Sequence, residues 1–208
     1  MKNNPVKQSS EQGQSHDLGE NFWNEQYKAN NTAWDLGQVS PPIKAYIDQL
    51  SNKDLRILIP GCGNSYEAEY LMEKGFTNVT VIDIAPELVE RLKSKFRSNL
   101  NIRIILGDFF TLKGEYDLIL EQTFFCSLDP EMRKDYVEAM KSLLRTGGKI
   151  AGVLFNIHFE RKGPPFGGSA SEYKSLFQTD IEHKIFEPCY NSFAKRADSE
   201  LFIVLVKK

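Results

Sequence analysis

From residue 22 onward, short continuous apolar runs alternate with longer segments in which apolar residues recur every three or four positions. The first pattern fits strands buried on both faces, and the second fits amphipathic helices. Strands are predicted at 55–59, 79–83, 102–106, 117–120 and 149–155. Between them the start and stop signals predict helices. A short one covers 22–28, and a second runs from a Ser40 cap, with Pro41 in its first turn, to about residue 50. A third runs from an Asn64/Glu67 capping box to Gly75, and a fourth from Pro86 to about 97. Asp129-Pro130-Glu131 caps a fifth that stops at Thr146-Gly147-Gly148, and Ser169 with Glu172 caps a sixth that runs through Phe177. The pattern then changes to two strands in succession, 185–193 and 201–206, joined through Ala197-Asp198-Ser199. Regular strand–helix alternation implies a parallel sheet covered on both faces. No crossover fits between the two closing strands, so they form a hairpin that adds an antiparallel strand.

Composition adds bounds. The chain has 208 residues, 41% of them apolar, and a mean hydropathy of −0.40, which suits one soluble domain over 21–208. Residues 1–20 carry almost no large apolar side chains, and a disordered tail is expected there. The longest apolar runs, 150–155 and 202–206, fall far short of the ~20 residues that span a bilayer. The first residues also lack the apolar stretch of a secretion signal. Three scattered cysteines suit reduced thiols in a cytoplasm. A net charge of −2 gives no footprint for a phosphate backbone, and the basic run at 91–97 reads as a solvated helix face. The expectation is a cytoplasmic monomer acting on a small molecule, with neither nucleic acid nor membrane as partner.

The candidate chemistry lies at strand ends. Gly61-Cys62-Gly63 follows the first strand, where glycines let the backbone approach a ligand. Asp83 ends the second strand, placed to accept hydrogen bonds from the two hydroxyls of a ribose. The pair points to an adenosine-containing cofactor. It is not a dinucleotide fingerprint, because the third glycine position holds Tyr66. After the third strand, Asp108 and Phe109 offer an acid and a ring for an adenine. Glu121 ends the fourth strand on the same edge.

Four segments resemble the thiopurine S-methyltransferase family of class I S-adenosylmethionine-dependent methyltransferases, in particular its thiol and halide methyltransferase branch. They are Phe22-Trp23-Asn24-Glu25-Gln26-Tyr27 with Thr32-Ala33-Trp34-Asp35-Leu36-Gly37; Leu58-Ile59-Pro60-Gly61-Cys62-Gly63; the stretch from Glu121-Gln122-Thr123-Phe124-Phe125-Cys126 through Pro130-Glu131-Met132-Arg133 to Leu143-Leu144-Arg145-Thr146-Gly147-Gly148; and Gly163-Pro164-Pro165-Phe166. The resemblance runs from about residue 22 to the end. It implies a Rossmann-like α/β sandwich whose seven-stranded, mostly parallel sheet has the order 3-2-1-4-5-7-6. It implies an N-terminal cofactor lid over 21–50, and S-adenosylmethionine as cofactor. Trp23, Tyr27, Trp34, Gly61, Asp83, Asp108, Phe109, Glu121 and Gln122 are the implied cofactor contacts. Phe125, Arg161, Pro165 and Phe166 are the expected acceptor-lining residues. The thiopurine enzymes carry an arginine at the position of Gln122, and many members carry a tryptophan where this chain has Tyr27.

Methyl transfer from a sulfonium is an in-line displacement in which positioning supplies much of the acceleration. Aromatic faces stabilise a sulfonium by roughly 0.5–2 kcal/mol each, a reason for aromatic density around the site. Thiols ionise near pH 8.5, and halide or thiocyanate needs no base, so a soft acceptor requires no strong general base. His158, after the fifth strand, is read as either a base or an ordinary loop residue. Cys126 is read first as a small packed residue, and no cysteine or histidine spacing suggests a metal. The alternatives are a small-molecule O-, N- or metalloid methyltransferase, and a non-catalytic protein that binds the cofactor.

Overall fold

The computed structural model describes residues 18–208. Most of the expected disordered tail lies outside the described residues. Seven strands form one sheet in the order β3-β2-β1-β4-β5-β7-β6: β1 (Ile57–Pro60), β2 (Val79–Asp83), β3 (Ile102–Leu106), β4 (Tyr116–Gln122), β5 (Leu144–Phe155), β6 (Ile181–Pro188) and β7 (Glu200–Lys207). The first five are mutually parallel, and β7 runs antiparallel to both β5 and β6. The closing hairpin therefore inserts its second strand beside β5 and leaves β6 at the edge.

Alternation along the strands divides the core into two layers. Ile57, Ile59, Val79, Val81, Leu118 and Leu120 pack toward α2 (Pro41–Asp48), α3 (Tyr66–Glu73) and α4 (Pro86–Lys95). Leu58, Ile119, Ile150, Leu154 and Ile203 pack toward α5 (Arg133–Leu143) and α6 (Ala170–Leu176). Right-handed crossovers put α3 and α4 on one face because the chain steps in one direction from β1 to β3, and put α5 on the other after it reverses to β4. The reversal between β1 and β4 creates the switch point at which such sheets bind ligands. α1 (Glu20–Lys28) lies against α4: the Asn24 carboxamide oxygen accepts from the Glu87 amide at 2.8 Å, and Arg91 donates to the Tyr27 carbonyl at 3.2 Å.

Several boundaries differ from the sequence reading. α1 starts at Glu20, two residues early. Asn64 and Glu67 make no capping box: Ser65 stands at the N-cap in the left-handed region (φ +55°), and no side chain caps the helix. Asn64 instead donates to Asp35, and the buried Glu67 carboxylate accepts from the Ser40 amide at 3.3 Å. Ser40 does occupy the N-cap of α2, but its hydroxyl donates to Gln122 rather than capping. α5 stops at Leu143, where the backbone turns extended and passes into β5 without a loop. β6 covers 181–188 rather than 185–193, and a register shift falls between His183 and Ile185.

Candidate active site

The carboxyl ends of the parallel strands open into a cleft of about 1120 Å³. Small-ligand sites measure roughly 300–1,000 Å³, so this cleft has room for a nucleoside-sized molecule and a small second one. Its floor is the turn after β1. Gly61 and Gly63 have φ of +53° and +50°, a region that favours glycine. A Cβ on Gly61 would fall 2.2 Å from a ring carbon of Phe124, so only glycine lets that ring pack on the turn. The Gly63 amide donates to Asp83 Oδ2 at 3.2 Å and the Ala85 amide to Oδ1 at 3.1 Å. Burial pushes the Asp83 carboxyl up to about 6 against those two amides. A carboxylate has about four lone-pair sites, so Asp83 retains an acceptor position on each oxygen for a pair of hydroxyls.

Trp23, Tyr27 and Trp34 form one wall. Trp34 meets Trp23 edge-on at 5.5 Å between centroids and Tyr27 edge-on at 5.8 Å. Burial and the nearby Asp83 charge push the Tyr27 phenol well above its usual value, so it stays neutral. Opposite stand Asp108 and Phe109. Asp108 Oδ1 accepts from the Phe110 amide at 2.9 Å, which sets a tight turn, and Phe109 packs on Phe124 at 5.1 Å. Gln122 lines the cleft and its Oε1 accepts from the Ser40 hydroxyl at 2.6 Å. The second half of the cleft is bounded by Phe155, Phe159, Arg161, Pro165 and Lys195, and the Arg161 guanidinium lies 5.4 Å from the Phe159 ring centroid.

Four expected site residues are elsewhere. Glu121 is fully buried: Oε1 accepts from the Phe124 and Phe125 amides at 2.8 and 2.9 Å, and Oε2 from the Tyr136 hydroxyl at 2.6 Å. It shares the strand face of Ile119 and so points toward α5, whereas Gln122 points toward α2. Burial lifts its carboxyl to about 7. Glu121 holds the turn beneath the cleft and does not line it. Phe125 is also buried, packed between Tyr136 and Tyr173 at 5.0 and 5.2 Å. Phe166 is half-buried outside the cleft wall, its amide tied to the Cys126 carbonyl at 2.7 Å. His158 is exposed on the loop after β5 and does not line the cleft. Among the described residues no histidine does. Cys126 reaches the cleft, but burial lifts its thiol to about 12, which keeps it protonated and unreactive near neutrality.

Sequence reasoning gave no role to Asp35 or Arg196, and it counted Phe124 among the site's aromatics without its packing on Gly61. Asp35 accepts from the Gly37 amide at 2.7 Å and from the Tyr66 hydroxyl at 3.3 Å, pinning the 32–37 turn to the β1 turn. The Asp-x-Gly spacing, with Gly37 at φ +71°, carries that signal. Arg196 pairs with Glu200 four residues on, but nothing local marks its contact with the Trp34 carbonyl, 162 positions away.

The profile of the thiopurine S-methyltransferase family matches residues 18–201. The chain belongs to this family. Among its relatives, a protein named probable thiol methyltransferase 2 of Arabidopsis thaliana is 34% identical over 159 residues, 74% of this chain and 70% of that protein. A thiopurine S-methyltransferase of Aliivibrio fischeri is 28% identical over 202 residues, 84% of this chain and 95% of that one. In fold, the chain is similar to a Burkholderia thailandensis 1,6-didemethyltoxoflavin-N1-methyltransferase solved with bound 1,6-didemethyltoxoflavin and S-adenosylhomocysteine (TM-score 0.72, 18% identity, 91% and 87% of the two chains). The thiopurine S-methyltransferase fold seen here is thus the class I methyltransferase sandwich, and the protein is an S-adenosylmethionine-dependent methyltransferase. The residues present suit that cofactor: a buried carboxylate with spare acceptor positions, a glycine turn open to a ligand, and an aromatic wall suited to a sulfonium.

Proposed function

We propose that the cofactor lies between the Trp23–Tyr27–Trp34 wall and the β1 turn, and that the acceptor is a small, soft, anionic nucleophile: a thiolate, a thiopurine, thiocyanate or a halide. In this reading Asp83 takes the ribose hydroxyls, Asp108 and Phe109 hold the adenine, and Gln122, with Gly61, borders the amino-acid end. Residues 21–50 act as the lid. S-adenosylmethionine supplies an electrophilic methyl group on a sulfonium, which leaves as a neutral thioether. The protein's part is to hold the acceptor on the far side of that methyl, in line with the departing sulfur, and to keep water out.

The observation that carries the acceptor class is the composition of the second half of the cleft. Arg161, Lys162 and Lys195 line the cleft with Phe155, Phe159 and Pro165, while Asp129 and Glu131 line it from the loop after β4, so an anion entering beside the loops after β5 and β6 meets positive charge and apolar rings. No histidine of the described residues is there to deprotonate a hard alcohol or amine. The names of the relatives, thiol, thiocyanate and thiopurine methyltransferases, support the same class. The test is an incubation with labelled cofactor and a panel of aromatic thiols, thiopurines, iodide, thiocyanate, phenols and amines. Label in the sulfur and halide products is expected; preferential labelling of a phenol or amine would overturn the reading.

A further inference from the structure

Arg196 lines the cleft from the short turn between β6 and β7, and its contacts join parts of the chain far apart in sequence. Nη2 donates to the Trp34 carbonyl at 2.8 Å, across 162 positions. Nη1 faces Glu200 Oε1 at 3.5 Å, and the guanidinium lies 5.5 Å from the centre of the Phe155 ring. The ion pair is buried, with the two side chains 10% and 3% exposed. A cation so matched is a poor anchor for an anionic acceptor, in contrast to the exposed Lys195 beside it. What Arg196 provides is geometry, because the planar fork of a guanidinium holds two acceptors at once in fixed directions.

Trp34 is the other half of the contact. Its ring packs on Trp23 and Tyr27 in the aromatic wall, while Phe155 lines the acceptor side and Glu200 is buried opposite it in the sheet. α1 is held separately on α4, through Asn24 and Arg91. Loss of the Arg196 contact therefore loosens the Trp34 segment on its acceptor side, leaving Asp35 as its tie to Asn64 and Tyr66, without releasing the helix before it. We propose that Arg196 is a positioning residue, a latch that holds the Trp34 segment closed over the cofactor and ties it to the acceptor wall, so that its opening governs the release of S-adenosylhomocysteine. The latch rests on the placement of the cofactor proposed above. Lid opening and product release limit turnover in many enzymes.

The chain has two tryptophans, Trp23 and Trp34, and both stand in this wall, so intrinsic fluorescence reports directly on it. Stopped-flow displacement of S-adenosylhomocysteine is measured for the wild type, Arg196→Met and Arg196→Lys, with calorimetric Kd values alongside. Arg196→Lys keeps a charge opposite Glu200 and guards against a Met variant that fails to fold. Its single ammonium lacks the fork needed to serve Glu200 and Trp34 together. Loss of one charge-assisted hydrogen bond predicts dissociation about tenfold faster in Arg196→Met, and a smaller acceleration in Arg196→Lys. Wild-type binding with dissociation rates unchanged in the folded variants would overturn the latch. Absence of S-adenosylhomocysteine binding to the wild type by calorimetry would be a different result, overturning the cofactor reading and the latch together.

Discussion

Asp83 is the last residue of β2 and Glu121 the last but one of β4, and both are buried carboxyls raised by desolvation, to about 6 and about 7. Their partners separate their roles. Asp83 takes two backbone amides and lines the cleft, while Glu121 spends its oxygens on the Phe124 and Phe125 amides and on Tyr136. Replacing Asp83 with Ala removes the proposed acceptor for two ribose hydroxyls. Hydrogen bonds to a charged group are worth ~1.5–3 kcal/mol, so affinity for S-adenosylhomocysteine should fall about 10- to 150-fold. Titration calorimetry reads this directly, and wild-type affinity would refute the assignment. Glu121→Gln tests the other role. A raised carboxyl pKa means that the folded state binds more protons than the unfolded one between about pH 4 and 7, so this group's contribution to stability falls as pH rises through that window. Glutamine can satisfy the same three partners without a charge. Relative to the wild type, Glu121→Gln should therefore gain stability from pH 5 to pH 8, by at most about 3 kcal/mol on a shift of this size. Urea melts at the two pH values check it, and a pH-independent difference would show that Glu121 is not ionised at a cost.

At the scale of elements, legibility in the sequence followed the density of aliphatic residues. β2, Val-Thr-Val-Ile-Asp, is buried throughout, and β3, Ile-Arg-Ile-Ile-Leu, is a partly exposed edge strand, yet both are rich enough in aliphatic residues that their bounds coincide with those predicted, 79–83 and 102–106. β6 is an edge strand with much of its surface in water and a register shift after His183, so its alternation is broken and the reading slid four residues along. The Asn64/Glu67 pair has the letters of a capping box, but long-range partners, Asp35 and Ser40, claimed both side chains. Propensity cannot foresee that competition. Glu121 was misplaced for a subtler reason: its position on the ligand edge was legible, and so was its period-two kinship with Ile119, but only the packing shows that Tyr136 waits on that face. The glycine turn, by contrast, was read for backbone access alone, and the structure adds Phe124 packed on Gly61. Gly61→Ala should strain a left-handed backbone by roughly 1–2 kcal/mol and also displace that ring. Both a lower Tm and weaker S-adenosylhomocysteine binding are expected. Loss of stability with unchanged binding would mean that the turn supports the fold and not the cofactor.

At the scale of the whole molecule, the two halves of the cleft divide the proposed work. The half proposed for the cofactor is built from the switch point of the sheet, between β1 and β4, and is walled by the N-terminal aromatics. The half proposed for the acceptor is assembled from the loops after β5 and β6, which bring exposed cations beside apolar rings. Positive charge near the mouth favours anions, and desolvation within favours those that part readily with their water. Turnover should then follow the fraction of acceptor already ionised. Thiols of low pKa should be methylated with a rate that rises with pH up to the thiol's own pKa and is flat beyond it, while iodide or thiocyanate should show no such rise. His158→Ala should leave the rate with an acidic thiol nearly unchanged, since the ring is exposed and off the cleft. A positioned general base contributes ~10²–10⁴-fold, so a loss of that size in this variant would make His158 the base after all. The decisive measurement is the pH profile of kcat/KM for two thiols of different pKa. Profiles that shift with the thiol support an acceptor that arrives as an anion, and profiles that coincide would place the controlling ionisation on the protein.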